Sequence, residues 1–303
     1  VGGFFQQLAK ILADRWISLL VLPGAFFLGA AWVATGLGQS HAWDVPLLAD
    51  HANRAAARGS ALPAGAQALL LVAVLLVASG TGLVVQALAG LTRRVWLGQW
   101  YRPFRALAAA RTASRRARWH RLVEARRALE KAHPATRTRG QQDEINTVAE
   151  RANRLALAEP GRPTWMGDRI HAVESIAYHR YGLDLTFGWS RLWLVLPETT
   201  RAELTAAHAT FAAAVATGTW ALPYLVLTVF WWPAALVAAG IGVTGWVRAR
   251  AAVADLSTLT EAAVDLHGRT LAHALGIGDP AESSGPLTLS EGDQVTDLVR
   301  KGR

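Results

Sequence analysis

Four stretches of the chain carry no Asp, Glu, Lys or Arg and show no polar face at helical spacing. The first is ISLLVLPGAFFLGAAWVATG (Ile17 to Gly36). The second is ALLLVAVLLVASGTGLVVQAL (Ala68 to Leu88). At 1.5 Å per residue, each spans roughly the 30 Å of a bilayer's hydrocarbon. A soluble core helix would turn a polar stripe outward every 3.6 residues, and these do not. The third and fourth runs adjoin: AHATFAAAVATGTWALPYLVLTVF (Ala207 to Phe230) and WWPAALVAAGIGVTGWV (Trp231 to Val247). Trp231-Trp232-Pro233 divides them, because proline breaks a helix and tryptophan favours the headgroup level. The pattern predicts an all-α membrane protein with four transmembrane helices and a cytosolic helical module. The first run is read as a retained helix rather than a signal peptide.

Between the runs the periodicity changes. Phe4, Phe5, Leu8, Ile11 and Leu12 share one face of an amphipathic helix over 1–16, placed on the inner membrane surface. The first transmembrane pair covers 17–90, with a loop from Leu37 to Gln67. Trp96, Trp100 and Phe104 continue the second span at i+4 spacing towards Pro103. The segment 91–206 is basic and helical. Its first helix covers 104–132 and its second Gln141 to Ala158, with TRTRG as the intervening loop; together they predict an antiparallel hairpin. A further helix from Gly167 to Tyr181 ends at Gly182. Phe187 to Leu196 is apolar but too short to span, and belongs at the interface or against the base of the bundle. Thr200 and Glu203 form a capping box that starts the next helix. The second hairpin covers 207–247. In the final segment, 248–303, Ala249 to Leu275 is helical and Gly276, Gly278 and Pro280 stop it. A polar tail with a short end helix follows.

Charge fixes the orientation. Thr92 to Ala206 holds 20 Arg and one Lys against 11 acids, while the turn at Trp231 has no charge. Cytoplasmic loops carry the Lys/Arg excess, so the middle segment and both termini are cytoplasmic, in a bacterial inner membrane. The run from Arg102 to Lys131 (nine Arg and one Lys against two Glu) then lies beside anionic headgroups. Arg93, Arg94, Arg105, Arg115, Arg116 and Arg118, with Trp96 and Trp100, are the candidate contacts to lipid or to a cytosolic protein partner. Nucleic acid, stacking on Trp100, Tyr101 and Trp119, is the weaker reading. With 28 Arg and three Lys, the arginine usage reads as a GC-rich genome more than a need for guanidinium at each position.

The order of a two-span half, a basic helical segment, RYGLDLTFGWSRLWLVLPE (Arg180 to Glu198), a second hairpin and EAAVDLHGRTLAHALG (Glu261 to Gly276) resembles a widespread group of uncharacterised multi-pass membrane proteins of actinobacteria. The resemblance covers most of the chain. It implies architecture and carries no reaction.

Chemistry is sparse in the sequence. With no cysteine, disulfides, thiolate metal sites and a cysteine nucleophile are excluded. His171, Glu174 and His179 are the best metal-like group, but 179 lies about 80° round the helix from 171, and solvated polar residues are the better account. Glu261 and Asp265 share a face at i and i+4; a cation or Arg248 and Arg250 could sit there, and a solvated face is the better account. There is no GxSxG, SxxK, HExxH or P-loop, so no enzyme, cofactor or metal is assigned. Small residues at four-residue spacing (Ala25 and Gly29, Ala78 and Gly82, Ala234, Ala238 and Gly242) predict close helix packing or homo-oligomerisation. Ser79, Thr81, Gln86, Thr217, Thr219, Tyr224, Thr228 and Thr244 are the polar groups at membrane depth. They line a pore if several copies assemble, or else bond their own helices. Pro23 and Pro223 are candidate kinks. Three functions stay open: an oligomeric channel or pore-type effector gated by the cytosolic module, a non-conducting anchor or scaffold, and a transporter subunit.

Overall fold

The computed structural model describes residues 21–131, 134–278 and 285–301. The amphipathic helix expected over 1–16, the first residues of the first apolar run, and Pro280 lie outside them. Every regular element described is helical: α1 (Leu22–Leu37), α2 (Val45–Ser60), α3 (Ala64–Trp96), α4 (Arg105–Leu129), α5 (Arg139–Leu155), α6 (Trp165–Tyr181), α7 (Leu185–Val195), α8 (Glu198–Thr219), α9 (Ala221–Leu227), α10 (Ala234–Ala274) and α11 (Leu289–Arg300). Three stretches are long and apolar enough to cross a membrane: α3, α8 continued through α9, and α10. Their large apolar side chains point outward; Leu76 is 65% exposed and Val84 60%. α1 is apolar but spans only 16 residues.

Residues Val1–Thr92 with Ala213–Arg248 form one compact unit. α1 packs on α9 and the start of α10 through Ala34, Tyr224, Leu227, Ala234 and Ala238, with Phe27 edge-on to Tyr224 at 5.5 Å. Small residues permit these approaches. A Cβ on Gly24 would strike the backbone of Ala78, and one on Gly245 the backbone of Gly218. Pro223 has no N–H to offer the carbonyl four residues back, and the helix breaks at Trp220, between α8 and α9. Pro23 sits near the start of the described part of α1. The turn after α9 comes where Trp231 and Pro233 predict it. Gln39 stitches it down, donating to the Thr228 and Val229 carbonyls at 2.8 Å each and accepting from Trp232 N.

The stretch from Leu37 to Gln67 departs from the expected loop: it contains α2. Asp44 caps it by accepting from Leu47 N, and Pro46 lies in its first turn. Half-buried Leu47, Leu48 and His51 form its inward side.

Residues Arg93–Ala212 with Ala249–Arg303 form the second unit. α3 stops short of Pro103, at Gly98. This glycine takes φ +72°, and Gly98 N and Gln99 N close the last turn onto Val95 and Arg94. Thr164 caps α6 and also donates to the Trp96 carbonyl at 2.7 Å. α4 and α5 form the expected antiparallel hairpin, for Arg115 meets Leu155 near one end and Arg137 meets the Glu130 carbonyl at the other. α5 starts earlier than expected, inside TRTRG, because Thr138 and Gln141 make a capping box. α8 likewise starts at Glu198, directly after Pro197, instead of being capped by Thr200. The short apolar α7 is a core element of this unit. Leu183, Leu192 and Leu204 are fully buried with Val264 and Leu271 of α10. The polar tail is docked too: Leu287, Val295 and Val299 complete the same core.

Candidate functional site

The root of the basic hairpin is a buried ion pair. Asp168, in the first turn of α6, is 1% exposed at its side chain and receives Arg115 Nε and Nη2, both at 2.7 Å. Its other oxygen accepts from Gly161 N at 2.9 Å and Arg162 N at 2.6 Å. Arg115 Nη2 also donates to the Leu155 carbonyl, and Trp119 Nε1 to that of Ala156. Both guanidinium nitrogens converge on one carboxylate oxygen in a charge-assisted contact, and the helix N-terminus favours the anion. Arg115, a sequence candidate for lipid or partner contact, is therefore turned inward as a structural residue.

Beside this root lies an open polar cleft of about 510 Å³, lined by Arg116, Glu159, His171, Glu174, Tyr178, His179, Asp184 and Arg300 among others. Its charges pair internally. Arg116 meets Glu159 at 2.8 Å, and Arg300 meets Asp184 at 2.8 Å. Burial pushes the Asp184 carboxyl up, but hydrogen bonds from Arg300 and Thr186 outweigh it and hold the group below its ordinary value. His171 faces Glu174 at 3.9 Å, while His179 bonds the Ser175 carbonyl behind it at 2.7 Å. The three do not converge on one point, and no group of three or more metal-type ligands occurs among the described residues.

Asp265 departs from the expected solvated face. It accepts the Tyr181 hydroxyl at 2.6 Å. Burial, and then Asp265, pushes the Tyr181 phenol up to about 12. Arg250 stacks over Trp165 with its guanidinium carbon 4.3 Å from the ring centroid. Desolvation lowers Arg169 against the opposing pull of Glu261.

Of the remaining basic candidates, Arg93, Arg105 and Arg118 are exposed. Arg94 donates to Tyr101 Oη at 2.8 Å. Trp96 and Trp100 are half-buried; Trp100 donates to the Val95 carbonyl and lies under Arg111. The polar groups of the apolar helices do not form one stripe. Ser79, Thr81, Thr217 and Thr228 each donate to the carbonyl four residues back. Thr219 is fully buried, bonded to Val215 O and to Thr92 Oγ1. Tyr224 is buried in the core, while Gln86 and Thr244 are exposed.

No family model, curated protein or solved structure matches the chain. The site must therefore be read from its own residues. Sequence reasoning missed Arg121 and Arg151, which join Arg118 in one groove between α4 and α5. It also missed the Asp184–Arg300 and Tyr181–Asp265 pairs. Local spacing carries no signal for partners 116 and 84 residues apart.

Proposed function

We propose that this protein is a non-conducting membrane anchor whose helical module offers the basic α4–α5 hairpin to a cytosolic partner. In this reading α1, extended by the residues before it, is a fourth span beside α3, α8–α9 and α10. Both termini and residues 91–206 lie on the cytoplasmic side of a bacterial inner membrane, with anionic headgroups near Arg93 and Arg94. The likeness to multi-pass actinobacterial proteins belongs to the same proposal.

The carrying observation is how the polar groups of the apolar helices are used. Hydroxyls that donate to their own helix backbone are satisfied without a pore or a neighbouring copy. Thr219 and Tyr224 are sealed inside the packing. The oligomeric pore is the second reading. It rests on exposed Gln86 and Thr244 and half-buried Thr217, which only a ring of copies would bring round an axis. The test is the mass of the purified protein in detergent, together with dye release from liposomes containing it. A small, defined particle that leaves liposomes sealed is the expected result. A ring-sized oligomer that releases dye, and loses that activity on Thr217→Val or Thr244→Val, would replace the anchor with the channel.

A further inference from the structure

Most arginines of the hairpin whose partners are visible have a carboxylate. Arg115 has Asp168, Arg116 has Glu159, Arg126 has Glu130 and Arg154 has Glu150. The groove between α4 and α5 is different. Arg118, Arg121, Leu122, Arg151 and Leu155 line a space of about 420 Å³, and no acid is among them. Arg118 and Arg121 stand at i and i+3 on one face of α4, a like-charge pair that does nothing to stabilise the helix. Arg151 has Thr147 and Val148 at the positions where an acid would have compensated it. Arg121 uses Nε on the Ala117 carbonyl at 3.3 Å, a bond that does not engage its terminal nitrogens. All three side chains belong to exposed residues.

We infer that this groove binds a small phosphate-bearing ligand, with Arg118, Arg121 and Arg151 as its donors. Planar guanidinium forks suit phosphate oxygens in pairs. The two leucines give the site an apolar wall, which fits a ligand whose phosphoryl group adjoins an apolar part. Nucleic acid fits less well because the groove has no stacking platform. Trp119 is tied to the Ala156 carbonyl and Trp100 lies under Arg111. Two sources carry this chemistry: a lipid phosphate headgroup and a soluble phosphorylated metabolite. The inference extends the anchor reading but stands or falls apart from it, since binding is measured on the detergent-solubilised chain whether or not it conducts.

The experiment titrates full-length protein calorimetrically with inorganic pyrophosphate, and counts retained phosphatidylglycerol against phosphatidylcholine by native mass spectrometry. It compares wild type with Arg118→Gln/Arg121→Gln/Arg151→Gln, and with Arg111→Gln/Arg127→Gln/Arg139→Gln as a variant of equal charge. A third variant with Lys at 118, 121 and 151 retains charge without the fork. Circular dichroism checks that each is folded. The groove variant is expected to bind at least ~10-fold more weakly, the Lys variant to fall between, and the equal-charge variant to match wild type. Pyrophosphate binding with this pattern assigns a soluble ligand; selective retention of phosphatidylglycerol with this pattern assigns a headgroup. Equal loss in the equal-charge variant, no loss in the groove variant, or no binding of either probe overturns the inference. So does groove-dependent binding of a single-stranded oligonucleotide when both small probes fail.

Discussion

Asp168 accepts three hydrogen bonds and pairs with Arg115 while almost wholly out of water, and this decides what its loss would cost. Removing one member of a buried ion pair leaves the other charge uncompensated, at about 3–5 kcal/mol. Replacing both with apolar residues of similar size is often near neutral. Asp168→Asn is therefore expected to lower the stability of the helical module by roughly that 3–5 kcal/mol, because Arg115 stays buried without its anion. Arg115→Met with Asp168→Leu is expected to recover part of the loss; only part, since Gly161 N, Arg162 N and the Leu155 carbonyl would lose their partner. Denaturant melts followed by far-UV circular dichroism measure both. Equal stability of Asp168→Asn and wild type would show that the pair is solvated in solution. The sequence displayed Arg115 as one arginine in a basic run. Only its meeting with a residue 53 positions on separates it from exposed Arg118.

At the scale of elements, α11 shows how a polar tail becomes part of a core. Thr288 and Glu291 start it with a capping box. Val295 is fully buried, and Thr296 bridges the Gly182 carbonyl and Asp184 N at 2.6 and 2.9 Å. Arg300 then pairs with Asp184, the cap of α7. Because the folded-state value of Asp184 is depressed, its contribution is fully present above the ordinary carboxylate value of 3.8 and is lost as pH falls below it. A fluorophore on Ser290→Cys should therefore keep high anisotropy down through pH 4 and lose part of it on further acidification. Asp184→Asn should lower the anisotropy already at neutral pH and flatten the acid limb. An unchanged acid limb would mean that α11 is held by its valines alone. Element for element, the apolar runs were legible because an uninterrupted apolar surface has one physical explanation. Gly182 and Gly276 stopped helices where expected, both at positive φ. α2 was missed because its Ala- and Arg-rich sequence has too little apolar contrast, although Asp44 and Pro46 marked its start. Gly98 was passed over in favour of Pro103, since the aromatic spacing ran on past it. The docking of α7 and α11 depends on core partners more than 60 residues away in sequence, which periodicity cannot show.

For the whole molecule the decisive property is orientation, and the composition makes it easy to measure. The chain has no cysteine, so a single introduced thiol is the only one present. Ser60, Ser114, Phe230 and Ser290 are all exposed. The proposed orientation puts the arginine excess of residues 92–206 inside and the uncharged turn near Trp231 outside. In intact cells, Ser60→Cys and Phe230→Cys are then expected to react with an impermeant maleimide added outside. Ser114→Cys and Ser290→Cys are expected to react only after the membrane is opened. Labelling at Ser60 but not Ser114 shows that α3 crosses, and labelling at Phe230 but not Ser290 shows that α10 does. The inverse pattern would put the basic hairpin outside and remove its cytosolic partner from consideration. Equal labelling at all four positions would remove the membrane itself, and the exposed leucines and valines of α3 would then have to be covered by another protein surface.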